Sequence, residues 1–202
     1  MGETKMTLKQ KTINKIIFTE GGYVNNKDDA GGETNYGITK QTARYHGYRG
    51  EMKLLSRKIA FAIYASSFWD AQNLSKVQEL SEVIAEEVAD TSVNMGTSTA
   101  AIFLQRSLNV LNNKERYYRD IAVDGQIGKQ SITALRMFLK KRGKEGEEVL
   151  FGMLNALQGA KYIFLAEQRR KNETFVFGWF ANRVIAPVKE YFAYLNNKKA
   201  LA

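Results

Sequence analysis

The chain has 202 residues, 44% of them hydrophobic and 25% charged, so it can bury one sizeable core or two modest ones. It contains no cysteine, which excludes disulfides and thiolate chemistry, and its single histidine, His46, argues against a zinc site. The formal net charge of +9 predicts an anionic partner, either nucleic acid or the bacterial envelope. Nothing in the composition indicates a cofactor.

Membrane and export signals are weak. The longest unbroken apolar run, Ile59–Ala65, is far shorter than the roughly 20 residues that a bilayer span requires, so no transmembrane segment is expected. The charged N-terminus is followed only by the apolar stretch Ile16–Phe18, which does not resemble a secretory signal peptide. We therefore expect synthesis in the cytoplasm and a different route for any function outside the membrane.

The first predicted element is a helix that ends near residue 20. Thr7 and Gln10 have the spacing of a capping box, and the pair of glycines at 21–22 is typical of a helix end. Glu20 is therefore expected at the point where the helix turns into a loop. The apolar face of this helix is formed by Ile13, Ile16 and Ile17.

The rest of the chain is also mainly helical by pattern. Glycine, asparagine and aspartate dominate residues 21–39 and predict turns, with a short hairpin through Tyr36–Ile38. No proline-rich or serine-rich linker divides the chain, so the boundary that we predict, between domains 7–96 and 97–197, is soft. Further helices are predicted over 39–45, 56–69, 81–95, from Thr97 to about 111, through 135–138, and over 147–170 and 174–196.

The loop after the first helix carries carboxylates that could perform chemistry. Hydrolysis of a glycosidic bond needs a protonated carboxyl to donate to the leaving oxygen and a second carboxylate for water or the cationic transition state. Glu20, at a helix end, suits the acid, and Asp29, in a polar turn, suits the ionised partner. Thr34 offers a hydroxyl that could orient water. Residue chemistry alone does not separate Asp28 from Asp29.

The loop also has a structural and two ligand-binding interpretations. Acidic residues among glycines are most often turn formers. The order of Asp28 to Glu33 does not match an EF-hand, and a phosphate-binding loop would need lysine where Ile38 stands.

The ordered residues from Glu20 to Thr39, E-G-G-Y-V-N-x-x-x-D-x-G-G-x-T-N-Y-G-I-T, resemble the signature of glycoside hydrolase family 108. Two later segments are similar to motifs of the same family: Ala62-x-Tyr64-x4-Trp69-Asp70, and Asp90-Thr91-x-Val93-Asn94-Met95-Gly96.

The resemblance implies an N-acetylmuramidase with a lysozyme-like helical catalytic domain and a small hairpin lobe, in which Glu20 is the general acid. Phage-type lysozymes use a similar order of glutamate, aspartate and threonine, which Glu20, Asp29 and Thr34 follow. The spacing from Asp29 to Thr34 is one residue shorter than in that pattern. Substrate-binding roles are predicted for Tyr36, Trp69 and Asn94, although aromatic residues at helical spacing are more often core.

The second half carries a separate resemblance. L-Q-R-S-L-N and V-D-G-Q-I-G-K-Q-S-I-T-A-L, together with Gly178-Trp179-x-x-Asn182-Arg183, are similar to a predicted peptidoglycan-binding domain. From the residues alone, Asp124–Gly128 is a turn that leads into a helix, and Trp179 and Tyr162 could either stack on sugars or belong to the core.

We expect a cofactor-free muramidase that cleaves the β-1,4 bond between N-acetylmuramic acid and N-acetylglucosamine. The alternatives are a lytic transglycosylase that uses Glu20 alone and a non-catalytic protein that binds the cell wall. The expected partner is the peptidoglycan strand rather than a specific nucleic acid. We also expect a monomer that a holin or secretion system releases to the wall.

Overall fold

The computed structural model describes residues 6–25 and 32–200, and in them the protein is mainly helical with one small sheet. This confirms the predicted fold class. Contacts divide the chain into two compact units, Met1–Lys76 and Val77–Ala202. The boundary falls inside the helix Leu74–Leu80. The helices, numbered in chain order, are α1 Leu8–Glu20, α2 Lys40–Tyr45, α3 Arg57–Tyr64, α4 Leu74–Leu80, α5 Glu82–Met95, α6 Thr97–Leu111, α7 Lys129–Gln168, α8 Glu173–Phe180 and α9 Ala186–Ala200.

The first unit begins with α1, which has the predicted capping box. The Thr7 hydroxyl accepts the Gln10 backbone N–H, and the Gln10 side chain accepts the Thr7 backbone N–H. Gly21 ends the helix with a φ of 76°, a conformation that favours glycine. The predicted apolar face is buried, at Ile13, Ile16 and Ile17.

A three-stranded antiparallel sheet follows, with strands β1 Val24–Asn25, β2 Glu33–Asn35 and β3 Ile38–Thr39 in that order. β2 and β3 form the predicted hairpin, closed by the two residues Tyr36 and Gly37, whose φ angles are 51° and 72°. Two successive positive φ values are typical of the type I′ turn, which matches the twist of paired strands.

The remaining helices of the first unit pack around this hairpin and α1. Ser56 caps α3 through its hydroxyl, and the chain then continues as a wider, π-helical turn over Ala65–Asp70 rather than as the single helix predicted for 56–69. Lys9 at the start of α1 forms an ion pair with Asp70 at a distance of 2.7 Å. The largest fully buried side chains in this unit are Ile13, Met52, Trp69 and Leu74.

The second unit is built on α5, α6 and α7, which pack against one another. Ser81 caps α5, and Ile84, Val88 and Ala89 on its apolar face are buried. Helix α6 begins at Thr97, as predicted. Gly96 occupies the cap position with a φ of 89°, which favours glycine, and Thr97 is the first helical residue.

The long helix α7 is two helices joined at a kink. Gly143 has a φ of 58° and a ψ of −142° inside it, so the first part ends after Arg142. Within the described residues, α7 is the helix long and apolar enough to cross a membrane by length and composition. Of its most apolar window, 44% is buried in the protein, and a core helix produces the same signal.

Candidate active site

Glu20 is the last residue of α1, and its side chain is exposed. The apolar face of α1 is anchored in the core, while the glycine at 21 turns the chain away immediately after the carboxylate. A rigid helix end therefore holds an accessible carboxyl group, as a group that must donate a proton to a substrate requires.

The tip of the hairpin lies against this carboxylate. A Cβ atom built on Gly37 would lie 2.8 Å from Glu20 Oε2 and 2.9 Å from the Tyr64 hydroxyl oxygen. A side chain at this position would therefore force the Glu20 carboxylate or the Tyr64 hydroxyl to shift, and the positive φ independently favours glycine. The turn that closes the hairpin also leaves room for the carboxylate.

Tyr64, near the end of α3, joins the hairpin to the helices. Its hydroxyl donates to the Tyr36 carbonyl oxygen at 2.8 Å, and its side chain is buried. Burial, together with the negative charge of Glu20, raises the pKa of Tyr64 to about 12, so the phenol remains a donor at neutral pH. Sequence analysis did not assign Tyr64 to the site, although it appears in the second motif of the family resemblance.

Thr34 lies in the middle strand of the sheet and is half-buried, paired with Val24 on one side and Thr39 on the other. The residues before and after Thr34 in the strand, Glu33 and Asn35, hold the strand in register. Glu33 accepts the Tyr23 hydroxyl at 3.0 Å and pairs with Lys40 at 3.1 Å. Asn35 is buried and donates to the Met52 carbonyl oxygen at 2.8 Å. Side chains alternate along a strand, so Thr34 faces away from these two anchors.

The Glu33 carboxylate is committed to these structural contacts. The ammonium group of Lys40, and then the Tyr23 hydroxyl, hold its pKa below the ordinary value. Glu33 is therefore an ionised anchor of the sheet, and it does not suit the role of the acid.

The second predicted carboxylate, Asp29, and its neighbour Asp28 lie outside the described residues, so the role of Asp29 stays a prediction. Tyr36 is half-buried at the hairpin tip, where its carbonyl group accepts from Tyr64. Its predicted contact with the substrate also stays a prediction.

Two further predicted substrate-binding residues have structural contacts of their own. Trp69 is 2% exposed, and its indole N–H donates to the Ser75 hydroxyl at 2.9 Å, so it fills the core of the first unit. Asn94 is exposed on α5 in the second unit, and its amide donates to the Asp90 carbonyl oxygen at 2.7 Å. Both substrate-binding roles stay predictions.

In the second unit, α5 and α7 meet through a set of polar side chains, Glu87, Asp90, Asn155 and Gln158, which Arg183 joins from the segment Ala181–Ile185. Arg183 forms an ion pair with Asp90, and Gln158 donates to the same carboxylate at 3.3 Å. Glu87 is 4% exposed, and burial, followed by the charge of Asp90, raises its pKa to about 8. Two motifs that are far apart in sequence thus meet at Asp90 and Arg183.

Metal chemistry finds no support in the described part of the chain. Across residues 6–25 and 32–200, no three histidine, cysteine, aspartate or glutamate side chains are grouped so that they could hold an ion.

Comparison with known families assigns the two halves of the chain. Residues 13–96 match the model of the Glycosyl hydrolase 108 family. This N-terminal match identifies the protein as a glycoside hydrolase. Residues 99–184 of this hydrolase match the Predicted Peptidoglycan domain. The predicted family resemblance and enzyme class are therefore confirmed, and the two domains together support peptidoglycan hydrolase activity and binding to peptidoglycan.

A solved structure, described as the structure of Brucella abortus SagA, is similar to the hydrolase over nearly the whole chain. The TM-score is 0.63 at 22% sequence identity, and the match covers 92% of this chain and 94% of that one. At this identity the likeness shows a shared fold. No curated protein sequence matches the chain. The domain boundary at 96/97 stays a prediction.

Proposed function

We propose that the hydrolase is an N-acetylmuramidase that cleaves the β-1,4 bond between N-acetylmuramic acid and N-acetylglucosamine, with Glu20 as general acid. The observation that carries this proposal is the position of the Glu20 carboxylate, exposed at a helix end and in contact with the hairpin tip at Gly37. The order of residues around it, which resembles the muramidase signature, supports the same assignment.

In the proposed reaction, Glu20 transfers its proton to the glycosidic oxygen as the bond between that oxygen and C1 breaks. Water then supplies the hydroxyl group to C1, and its remaining proton passes to a carboxylate. Asp29 is the proposed second carboxylate, and Thr34 is proposed to orient the water. A gap of about 5 Å between the two carboxyl groups favours retention of configuration, and a gap of roughly 6.5 to 9.5 Å favours inversion.

The proposed site of action is the bacterial cell wall. A chain with a net charge of +9 would concentrate on a polymer that carries peptide carboxylates. We further propose that the protein is made in the cytoplasm and acts as a monomer after a holin or secretion system releases it, as a phage or prophage endolysin would.

The test compares wild type, Glu20→Gln and Glu51→Gln on purified cell walls. Glu51 is an exposed carboxylate that pairs with Lys53 at 3.0 Å and serves as the matched control in the same unit. Removal of a general acid costs roughly 10²- to 10⁴-fold in rate, so Glu20→Gln should clear walls at no more than about a hundredth of the wild-type rate. Glu51→Gln should clear them at the wild-type rate.

Mass analysis of the released fragments identifies the reaction. Reducing N-acetylmuramic acid ends are expected. Anhydromuramic ends would show that the enzyme is a lytic transglycosylase and not a hydrolase. Full wall clearing by Glu20→Gln would refute the role of Glu20, and the absence of clearing by the wild type would favour a wall-binding protein without catalysis.

A further inference from the structure

A cleft in the second unit has no role in the proposed reaction. It lies between the loop that joins α6 to α7 and the last turn of α7 before the kink at Gly143. Its volume is about 700 Å³, which is within the usual range for small-ligand sites. We call it the basic cleft, and it is lined by Asn113, Arg116, Tyr117, Met137, Lys140 and Lys141.

In the part of the chain that the structure describes, no ion pair neutralises the cations of the basic cleft. Arg116, Lys140 and Lys141 are exposed, and none of the ion pairs within the described residues involves them. The last turn of a helix favours cations, which explains the lysines on α7. It does not explain why Arg116, from a different segment, lines the same cleft.

The loop that carries Arg116 is held in a strained shape. Asn113, Lys114 and Glu115 have consecutive positive φ angles of 56°, 57° and 61°. Such a conformation costs about 1–2 kcal/mol for each residue that is not glycine. The Asn112 amide accepts the Glu115 N–H at 3.0 Å and donates to the Asp120 carboxylate, and Glu115 accepts the Asp120 N–H at 3.0 Å. The acidic side chains of the loop are thus used to fix its shape.

An aromatic ring completes the cleft. The Lys141 ammonium group and the Arg142 guanidinium lie 5.7 Å and 5.3 Å from the centroid of the Tyr117 ring. The next residue, Tyr118, is buried and donates to the Leu108 carbonyl oxygen at 2.7 Å, which anchors this part of the loop. Met137 adds an adaptable apolar surface beside the ring.

We infer that the basic cleft binds the carboxylates of peptidoglycan stem peptides. A guanidinium can hold a carboxylate through two parallel hydrogen bonds, and the ammonium groups add attraction without fixed geometry. The tyrosine and methionine suit the short apolar side chains between those carboxylates. The inference rests on the proposed function only in that the hydrolase acts on peptidoglycan. The peptide contact would hold the enzyme on intact wall, separately from the glycan contact at Glu20.

The test measures binding by the full chain, so its result is independent of catalysis. The variant Arg116→Ala/Lys140→Ala/Lys141→Ala is compared with Arg170→Ala/Lys171→Ala/Lys189→Ala, which removes the same charges from exposed positions outside the cleft. The two probes are intact cell walls and glycan strands whose stem peptides have been removed. Circular dichroism verifies that both variants are folded.

The cleft variant should bind intact walls roughly 10- to 100-fold more weakly than wild type, and the control variant should bind within about threefold. Both variants should bind peptide-free glycan as wild type does, and soluble stem peptide should compete with intact walls for the wild type. Equal losses in the two variants, or an equal loss on peptide-free glycan, would overturn the inference. Preference of the wild-type cleft for duplex DNA over stem peptide would overturn it as well. A failure of Glu20→Gln to lose activity would leave these binding results unchanged.

Discussion

Two glutamates occupy opposite environments in the two units of this hydrolase. Glu20 is exposed at the end of α1, next to Gly37 at the hairpin tip. Glu87 is 4% exposed between α5 and α7, where one of its carboxyl oxygens, Oε1, has no hydrogen-bond partner. The resemblance to the family signature identifies Glu20 as the candidate catalytic acid. A search for carboxyl groups with perturbed pKa values would identify Glu87 instead.

The comparison of the two glutamates shows that a raised pKa is evidence of burial and is not by itself evidence of a catalytic role. The pKa of Glu87 is raised mainly because the packed interface removes water from the carboxyl group. A substrate must reach a catalytic acid, and a side chain inside a helix interface is closed to a polysaccharide. The buried carboxyl instead acts on stability, because burial away from water penalises its charged form.

The largest expected effect is therefore a pH dependence of stability that arises at Glu87. Its folded pKa of about 8 lies above the ordinary value of 4.5, so the native state binds the proton more tightly. The stability from this group is fully present below pH 4.5 and is lost as the pH rises towards 8. The slope is about 1.4 kcal/mol per pH unit, which amounts to a few kcal/mol in total.

Glu87→Gln should remove this dependence, because an amide keeps a donor without a titrating proton. Urea unfolding from pH 5 to pH 9 should show the stability of the variant increasing relative to that of wild type as the pH rises, whereas Glu145→Gln, at an exposed position in the same unit, should follow wild type. Parallel stability curves for wild type and Glu87→Gln would show that the carboxyl of Glu87 is not protonated in the folded protein.

Local sequence patterns predicted much of the fold and one part of the site. The Thr7 cap, the apolar face of α1 and the Tyr36–Ile38 hairpin depend on neighbouring residues, and the structure confirms them. They also place Glu20 at a helix end. Local chemistry of this kind is readable because caps and turns satisfy backbone groups within a few residues.

Contacts between distant residues could not be predicted. The bond from Tyr64 to Tyr36 spans 28 positions, and the pair formed by Asp90 and Arg183 spans 93. Neither leaves a periodic signal. Glu87 shares the apolar face of α5, yet a single glutamate on that face does not reveal whether it is buried or extends to water.

Gly37→Ala tests the surroundings of the exposed glutamate, Glu20, and should have the next largest effect. A positive φ at a residue with a Cβ costs about 1–2 kcal/mol, and the Cβ would displace the Glu20 carboxylate or the Tyr64 hydroxyl. A displacement of about 1 Å costs roughly 100-fold in rate, so wall clearing should fall by about that factor.

Gly47→Ala is the matched control for this variant. Gly47 has a φ of 84° with nothing within 4 Å of a built Cβ, so it shares the backbone strain and lacks the clash. Both variants should lose similar stability in urea unfolding, while only Gly37→Ala should lose activity. If the two lost activity equally, strain in the first unit would account for the effect, and close packing at Glu20 would not.

Tyr64→Phe should have the smallest effect, because it removes one hydrogen bond and leaves the ring in place. The Tyr36 carbonyl oxygen would lose its donor, at a cost of about 1 kcal/mol in the free energy of unfolding. Tyr48→Phe removes a comparable bond to the Glu51 carbonyl oxygen, at 2.8 Å, outside the candidate site. Unfolding measurements should therefore give similar losses for the two variants.

The rate of wall clearing should differ between Tyr64→Phe and Tyr48→Phe, since only Tyr64 holds the turn that contacts Glu20. We expect Tyr64→Phe to clear walls several-fold more slowly than Tyr48→Phe at equal stability. The pKa of about 12 keeps the Tyr64 phenol protonated, so this ratio should be the same at pH 6 and pH 9. A ratio that changes with pH would mean that Tyr64 exchanges a proton during the reaction, and it would then be a catalytic residue. A constant ratio would mean that it positions the hairpin tip against the acid.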